Sequence, residues 1–201
     1  MKQFFLFSVC IICLFSCTSA AGKNALHVYL TDSSRFVLMH PEAIEKTMDM
    51  AQFLSAEFRG QNYFFNAWVK ADENAIEIAL FNEFGASFGE LSYTAGNIHF
   101  SSAVLPRIAL QYIKPEYIIA DFQLCFYAPF LLEKQLNDSG LVLEITDSGS
   151  LHGSRHGSRD STRRILSGND VIIEIEKTGN SVKLVNHLRN YTYTLEGVFH
   201  E

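Results

Sequence analysis

The chain has 201 residues, of which 48% are hydrophobic and 19% are charged, and its formal net charge is −6. A chain of this length buries about 70% of the surface that its unfolded form exposes, so these numbers predict one ordinary globular domain. The acidic balance argues against a nucleic-acid partner, because binding to phosphates requires clustered Lys and Arg side chains.

Residues 1–16 predict a signal peptide of the lipoprotein type. Residues 4–15 form an apolar run that is too short to cross a bilayer of about 30 Å as a helix. The tetrapeptide that ends at Cys17 resembles the bacterial lipobox, whose Cys becomes the lipidated first residue of the mature protein. We therefore predict that Cys17 attaches the lipid and that residues 17–25 form a tether. A secreted soluble protein and a retained anchor are the alternatives.

The remaining residues, 26–201, predict a single domain that is mainly β. Two short strands are expected in residues 26–30 and 35–39. Alternation of apolar and polar residues then predicts strands in residues Met48–Phe58, 63–69, 75–81, 88–93 and 98–100, and again in 141–146, 171–176, 182–184 and 191–195. About ten to twelve strands are more than an open, strongly twisted sheet holds without curling or splitting.

A helical insert is predicted in residues 105–137. Pro106 and Pro115 suit first helical turns, and the stretch after Pro115 is apolar on most sides, so this helix should be covered by other elements. Asp121, in its middle, is interpreted first as an exposed residue, with a buried hydrogen-bonded group and a functional acid as alternatives.

These elements together predict one curved antiparallel sheet, an incomplete β-barrel, wrapped around apolar helices. Such an arrangement suggests a hydrophobic cavity and a hydrophobic or acyl ligand. The residues expected to line the cavity are Trp68, Ile78, Ile118, Phe122 and Phe126. For Trp68 ordinary core packing is the first interpretation.

A duplicated His-Gly-Ser-Arg tetrapeptide begins at His152 and is followed by two further Arg residues. Small residues around such a repeat favour an insertion in a surface hairpin loop. Contact with anionic groups is the alternative, and it would use Arg155, Arg159, Arg163 and Arg164. Metal binding by His152 and His156 lacks further ligands, so we predict no metal and no cofactor.

One motif is typical of hydrolases. Residues 85–89 fit the Gly-x-Ser-x-Gly nucleophile elbow around Ser87, but the elbow requires a helix after the Ser, and here a strand continues. The glycines are better explained as turn residues, so no catalytic residue is predicted. Cys125, on an apolar helix face, is interpreted as a core residue rather than a nucleophile.

The stretch 114–124, with Asp121 at its centre, resembles the central motif of a bacterial lipoprotein family known as a domain of unknown function. The family motif reads Ala-Asp-x-Gln-Leu followed by aromatic-x-Pro, and here the segment ending at Pro129 has one extra residue. Genes of this family often accompany aryl-polyene biosynthesis genes. The resemblance extends to Gln52, Gly85, residues 93–96, Arg164, Ile173, Asn186 and Tyr191.

That family is similar in expected architecture to the lipoprotein-sorting carriers LolA and LolB, whose incomplete barrel holds acyl chains. The resemblance implies a half-barrel and an outer-membrane lipoprotein that faces the periplasm, since Thr18 rather than Asp follows Cys17. The leading hypothesis is binding of an acyl or other hydrophobic chain for lipid or lipoprotein delivery. The alternatives are a non-catalytic scaffold that docks other envelope lipoproteins, and an acyl-hydrolase that uses Ser87.

Overall fold

The computed structural model describes residues 25–58, 60–105, 114–147 and 160–197. The strands are β1 (His27–Tyr29), β2 (Arg35–Val37), β3 (Met48–Phe58), β4 (Gln61–Ala71), β5 (Ile76–Phe81), β6 (Ser87–Thr94), β7 (Asn97–Ser101), β8 (Val142–Asp147), β9 (Ser161–Ser167), β10 (Asp170–Thr178), β11 (Ser181–Asn186) and β12 (Tyr191–Gly197). The helices are α1 (Pro115–Phe126), α2 (Pro129–Asp138) and a single 3-10 turn (Pro41–Ala43). No helix in the described ranges has both the length and the apolar character needed to cross a membrane.

Ten strands form one antiparallel sheet in the order β7-β6-β5-β4-β3-β12-β11-β10-β9-β8. Two meanders therefore meet where β3 pairs with β12, and the sheet is not closed, because β7 and β8 are its edges. Strands β1 and β2 form a separate antiparallel pair. The predicted mainly β architecture with one large antiparallel sheet is confirmed, but two of the twelve strands lie outside that sheet.

The helical insert connects the two edges of the sheet in sequence. Helices α1 and α2 each begin with a Pro, at a position where the missing N–H would have no helical partner. The prediction of helix is confirmed from Pro115 onward. It is wrong at Leu105, which lies in a bend, and the part that starts at Pro106 falls outside the described residues.

Helix α1 is covered on nearly all sides, as its apolar sequence predicted. Every residue from Ile119 to Cys125 is buried. The Gln123 side chain holds the segment after β2: its Nε2 donates to the carbonyl oxygen of Met39 at 2.7 Å, and its Oε1 accepts from the Met39 N–H at 3.0 Å. With these two bonds the Gln123 side-chain amide pairs with the backbone N–H and C=O of Met39 as the backbone of a neighbouring strand would. It holds the N-terminal segment against α1 and so fixes the helix that borders the cavity described next.

Candidate functional site

An apolar cavity of about 320 Å³ lies between helix α1 and one half of the large sheet. Its walls come from β3 to β7, β12 and α1. They are formed by Leu54, Ala56, Ala67, Val69, Ile78, Leu80, Gly89, Leu91, Phe100, Tyr117, Ile118, Asp121, Phe122, Tyr191, Tyr193 and Leu195. Asp121 is the single charged residue in this set. The site can therefore exclude water from an alkyl chain and offers one carboxyl group to it.

The space exists because small residues face α1 where the strands could have presented large ones. Successive side chains of a strand point to opposite faces, so Ala67 and Val69 of β4 turn inward together. Ala56 does the same on β3. Gly89 of β6 lies beneath an aromatic ring, and a Cβ there would stand only 3.1 Å from the Phe100 ring. At Ala56, Ala67 and Val69 the small side chains therefore leave volume under the helix that no described residue fills.

Asp121 reaches the cavity from the middle of α1 and is 7% exposed. The hydroxyl of Tyr191 donates a hydrogen bond of 2.6 Å to its Oδ2, and Nδ2 of Asn186 donates to the Tyr191 oxygen at 3.2 Å. Burial raises the pKa of Asp121 to about 7, against the opposing effects of the Tyr191 bond and of Arg189. The first interpretation, an exposed residue, is wrong; Asp121 is buried and hydrogen-bonded.

Cys125, one helical turn further along α1, is fully buried. Its Sγ lies 3.7 Å from the hydroxyl oxygen of Tyr193. Burial is the main cause that raises the pKa of this thiol to about 12, so the reactive thiolate does not form near neutral pH. The interpretation of Cys125 as a core residue is confirmed.

The structure places three of the five predicted lining residues, Ile78, Ile118 and Phe122, in the cavity wall. Phe126 lies elsewhere: its ring packs 4.8 Å from that of Phe122 and under Nζ of Lys177, 5.5 Å away. Lys177 belongs to β10, in the other half of the sheet. The last turn of α1 therefore carries Phe126 past the end of the cavity.

Trp68 lies on the opposite face of the sheet from the cavity. It is 49% exposed and shares that outer face with Phe64, 60% exposed, and Phe53, 43% exposed, whose ring stacks on that of Phe64 with centroids 6.1 Å apart. The predictions of a core or cavity position for Trp68 are both wrong. Its neighbours Ala67 and Val69 take the buried positions, and a period of two forces Trp68 outward.

The predicted arginine cluster separates in the structure. Arg163 and Arg164 lie in strand β9, not in a surface loop. Arg163 points inward, is 5% exposed, and donates from Nη1 to the carbonyl oxygens of Leu124 and Tyr127 at 3.0 and 2.9 Å. Its guanidinium therefore caps the C-terminal end of α1 and is not available to an external anion.

Arg164 points outward, and its Nε donates to Oε1 of Glu174 at 2.7 Å. The predicted contact of these two residues with an anionic ligand is not supported, because Arg163 is engaged by the end of α1 and Arg164 by Glu174. Arg155, Arg159, His152 and His156 lie outside the described residues, as do the signal peptide and Cys17.

The structure gives Ser87 no nucleophile elbow. Ser87 is the first residue of β6, and the chain continues as strand to Thr94. Asp121 and His187 follow Ser87 in the chain order of hydrolase triads, but Asp121 accepts from Tyr191 and His187 is not part of the cavity wall. Among the described residues, no group of three or more His, Cys, Asp or Glu side chains could hold a metal ion.

Sequence reasoning missed the aromatic part of the site. Tyr191 and Tyr193 were recognised only as strand residues, although both project from β12 toward α1. Their alternation with Thr192 and Thr194 was the available signal, because it places two tyrosines on the inward face of a strand. Their approach to Asp121 depends on the long-range pairing of β12, which the sequence did not predict.

One family model matches residues 49–198, and its description is "Protein of unknown function (DUF3261)". The match runs from the second residue of β3 to beyond the end of β12, and so includes the whole cavity and both helices. No curated protein matches the chain. The chain belongs to the DUF3261 family.

Proposed function

We propose that the protein is an outer-membrane lipoprotein, anchored through Cys17 and facing the periplasm, that binds one acyl or other hydrophobic chain for delivery of a lipid or lipoprotein. The single observation that carries this proposal is the apolar cavity beneath α1. Binding is non-covalent and is driven by removal of alkyl surface from water, at about 0.8 kcal/mol for each buried CH₂ group.

The size of the cavity favours a single chain. Its 320 Å³ lies near the lower end of the range of about 300 to 1,000 Å³ that is usual for ligand pockets. A lipoprotein anchor carries two or three acyl chains, so the cavity accommodates one of them while the others stay outside. The unclosed ten-stranded sheet with α1 against its face supports a LolA/LolB-like half-barrel as the architecture of this proposed carrier.

The experiment uses the full chain in lipid nanodiscs and a decanoyl probe with a terminal diazirine. After illumination, peptide mapping should find the adduct on the strands and helix that line the cavity. Ile78→Trp fills the cavity and should abolish this adduct. Ala79→Trp is the matched control, because Ala79 lies on the same strand but on the outer face, and it should leave labelling intact. Labelling that is equal in both variants would refute binding in the cavity.

The anchor is tested separately in cells that are fed radiolabelled palmitate. The unaltered protein should take up label and fractionate with the outer membrane, and Cys17→Ser should lose both properties. Uptake of label by Cys17→Ser would overturn the assignment of the lipid to this residue.

A second candidate function is a non-catalytic scaffold for other envelope lipoproteins. It is favoured by the aromatic outer face formed by Phe53, Phe64 and Trp68, since exposed apolar patches commonly mark protein contacts. Trp68→Ser combined with Phe64→Ser should then abolish co-purification of an envelope lipoprotein and leave decanoyl labelling of the cavity unchanged. Retention of the partner by this double variant would remove the candidate.

A further inference from the structure

One oxygen of the buried Asp121 carboxyl group is left without a partner. Oδ2 accepts from Tyr191, whereas Oδ1 has no hydrogen-bond partner among the described residues and is not fully enclosed. Asp121 is 7% exposed and belongs to the cavity wall. Because Oδ1 is not fully enclosed, it accepts a hydrogen bond from water or from a ligand group that enters the unfilled cavity beside it.

The surroundings of Asp121 limit what this ligand group can be. The other polar atoms in the wall are the hydroxyl groups of Tyr117, Tyr191 and Tyr193; the Tyr191 hydroxyl is already engaged, and that of Tyr193 contacts Cys125. Arg189, whose charge lowers the pKa of Asp121, packs its guanidinium carbon 4.0 Å from the Tyr117 ring and donates to the carbonyl oxygen of Tyr29. An anionic group on the ligand would be repelled by the ionised Asp121 carboxylate.

A hydroxyl group is the simplest group that suits Asp121 whether or not it carries a proton. It donates to Oδ1 when the carboxyl group is ionised, and it accepts when Oδ1 carries the proton. An ether or ester oxygen suits only the protonated form, and an ammonium group suits only the ionised form. Because burial raises the pKa of Asp121 to about 7, both forms are populated near neutral pH.

We propose that the hydrophobic chain bound in this cavity carries a hydroxyl group that hydrogen-bonds to Oδ1 of Asp121. The ligand class is a hydroxylated alkyl chain, such as a hydroxyacyl group or a long-chain alcohol. This inference rests on the proposed function. It adds a preference for chains that carry a hydroxyl group to a site that is otherwise apolar.

The test compares two photoreactive probes on the full chain in nanodiscs. One is a ten-carbon alcohol with a diazirine at the far end, and the other is its methyl ether, which keeps the oxygen but lacks the donor. The measurement is made at pH 9, about two units above the pKa of Asp121, where the carboxyl group is ionised and the ether cannot accept a proton from it. There the alcohol should label the cavity peptides with a half-saturating concentration about tenfold lower than that of the ether, because one hydrogen bond to a carboxylate contributes affinity of that order. Equal concentrations for the two probes would overturn the hydroxyl proposal and leave cavity binding standing.

Substitution of Asp121 tests the same pairing from the side of the protein. Asp121→Leu removes the acceptor and should bring the two probes to the same half-saturating concentration. Glu116→Gln removes a carboxylate from the first turn of the same helix, outside the cavity wall, and should keep the tenfold preference. A preference that survives Asp121→Leu would overturn the proposal.

Two further results keep the test decisive. If Asp121→Leu does not fold, the comparison of the alcohol with the ether on the unaltered protein decides by itself. If neither probe labels the cavity of the unaltered protein, the proposed function fails as well, and this result is distinct from equal labelling by both probes.

Discussion

The two halves of the large sheet meet helix α1 in different ways. Beneath one half, formed by β3 to β7 with β12, small inward residues leave a cavity of about 320 Å³. Beneath the other half, formed by β8 to β11, the inward positions hold branched aliphatic side chains that are at most 1% exposed: Ile165, Ile173, Ile175 and Leu184. We call these the open half and the filled half.

The buried charges differ in the same way. On the filled half, Arg163 donates to two carbonyl oxygens at the end of α1. On the open half, Asp121 lines the cavity, and only its Oδ2 has a hydrogen-bond partner among the described residues, the hydroxyl of Tyr191. Curvature of the sheet therefore does not by itself create the cavity, since the same sheet packs densely a few strands away. The cavity follows from which residues face inward.

The largest expected effect concerns Asp121 and pH. Its pKa is about 7 in the fold and 3.8 ordinarily, so this group favours folding fully below pH 3.8 and loses that contribution as pH rises through 7. The full contribution is about 4 kcal/mol. Relative to the unaltered protein, Asp121→Asn should gain up to about that amount between pH 4 and pH 8. Denaturant unfolding at each pH measures the difference, and a constant difference would mean that burial does not perturb Asp121.

The next effect compares one substitution in both halves. Leu184→Ala, on the filled half, should lower the free energy of unfolding by about 3 kcal/mol, because it creates a new cavity in a close-packed region. Leu80→Ala, on the open half, should cost only about 1 kcal/mol, because Leu80 is half-buried and already borders empty space. Equal losses in urea unfolding would break the distinction between the halves.

The smallest effect comes from filling the open half. Ala56→Leu adds apolar volume to the cavity and should raise the free energy of unfolding by about 1 kcal/mol while it reduces labelling by the decanoyl probe. Ala79→Leu, on the outer face, serves as the control and should leave labelling unchanged. If Ala56→Leu lowers the free energy of unfolding, the cavity has no room for the added side chain, and the prediction is wrong.

Much of the fold was accessible from local sequence patterns. Alternation in β5 placed Ile76, Ile78 and Leu80 on one face, and the apolar character of α1 required cover on all sides; the structure agrees with both. Each of these signals comes from neighbours within one element. The number of strands and the unclosed antiparallel sheet follow from summing such local signals.

The errors arose where a local pattern has two solutions. Strand β4 carries large apolar residues on both faces, so the sequence could not decide that Ala67 would turn inward and Trp68 outward. The predictions for Arg163 and Asp121 were wrong because a charged side chain is buried only where the fold supplies hydrogen-bonding partners, and local sequence patterns do not show those partners. Those partners, the end of α1 and the hydroxyl of Tyr191, lie 36 and 70 residues away in the sequence.

The pairing of β3 with β12 has a consequence for the order of folding. Each meander consists of neighbours in sequence and can form early, but β3 keeps one edge unpaired until β12 arrives from more than a hundred residues later. That edge includes Leu54 and Phe53, so a partly folded chain exposes an eleven-residue strand with apolar side chains and free backbone groups. The junction of the two meanders is therefore the step at which we expect folding of this protein to depend on a chaperone.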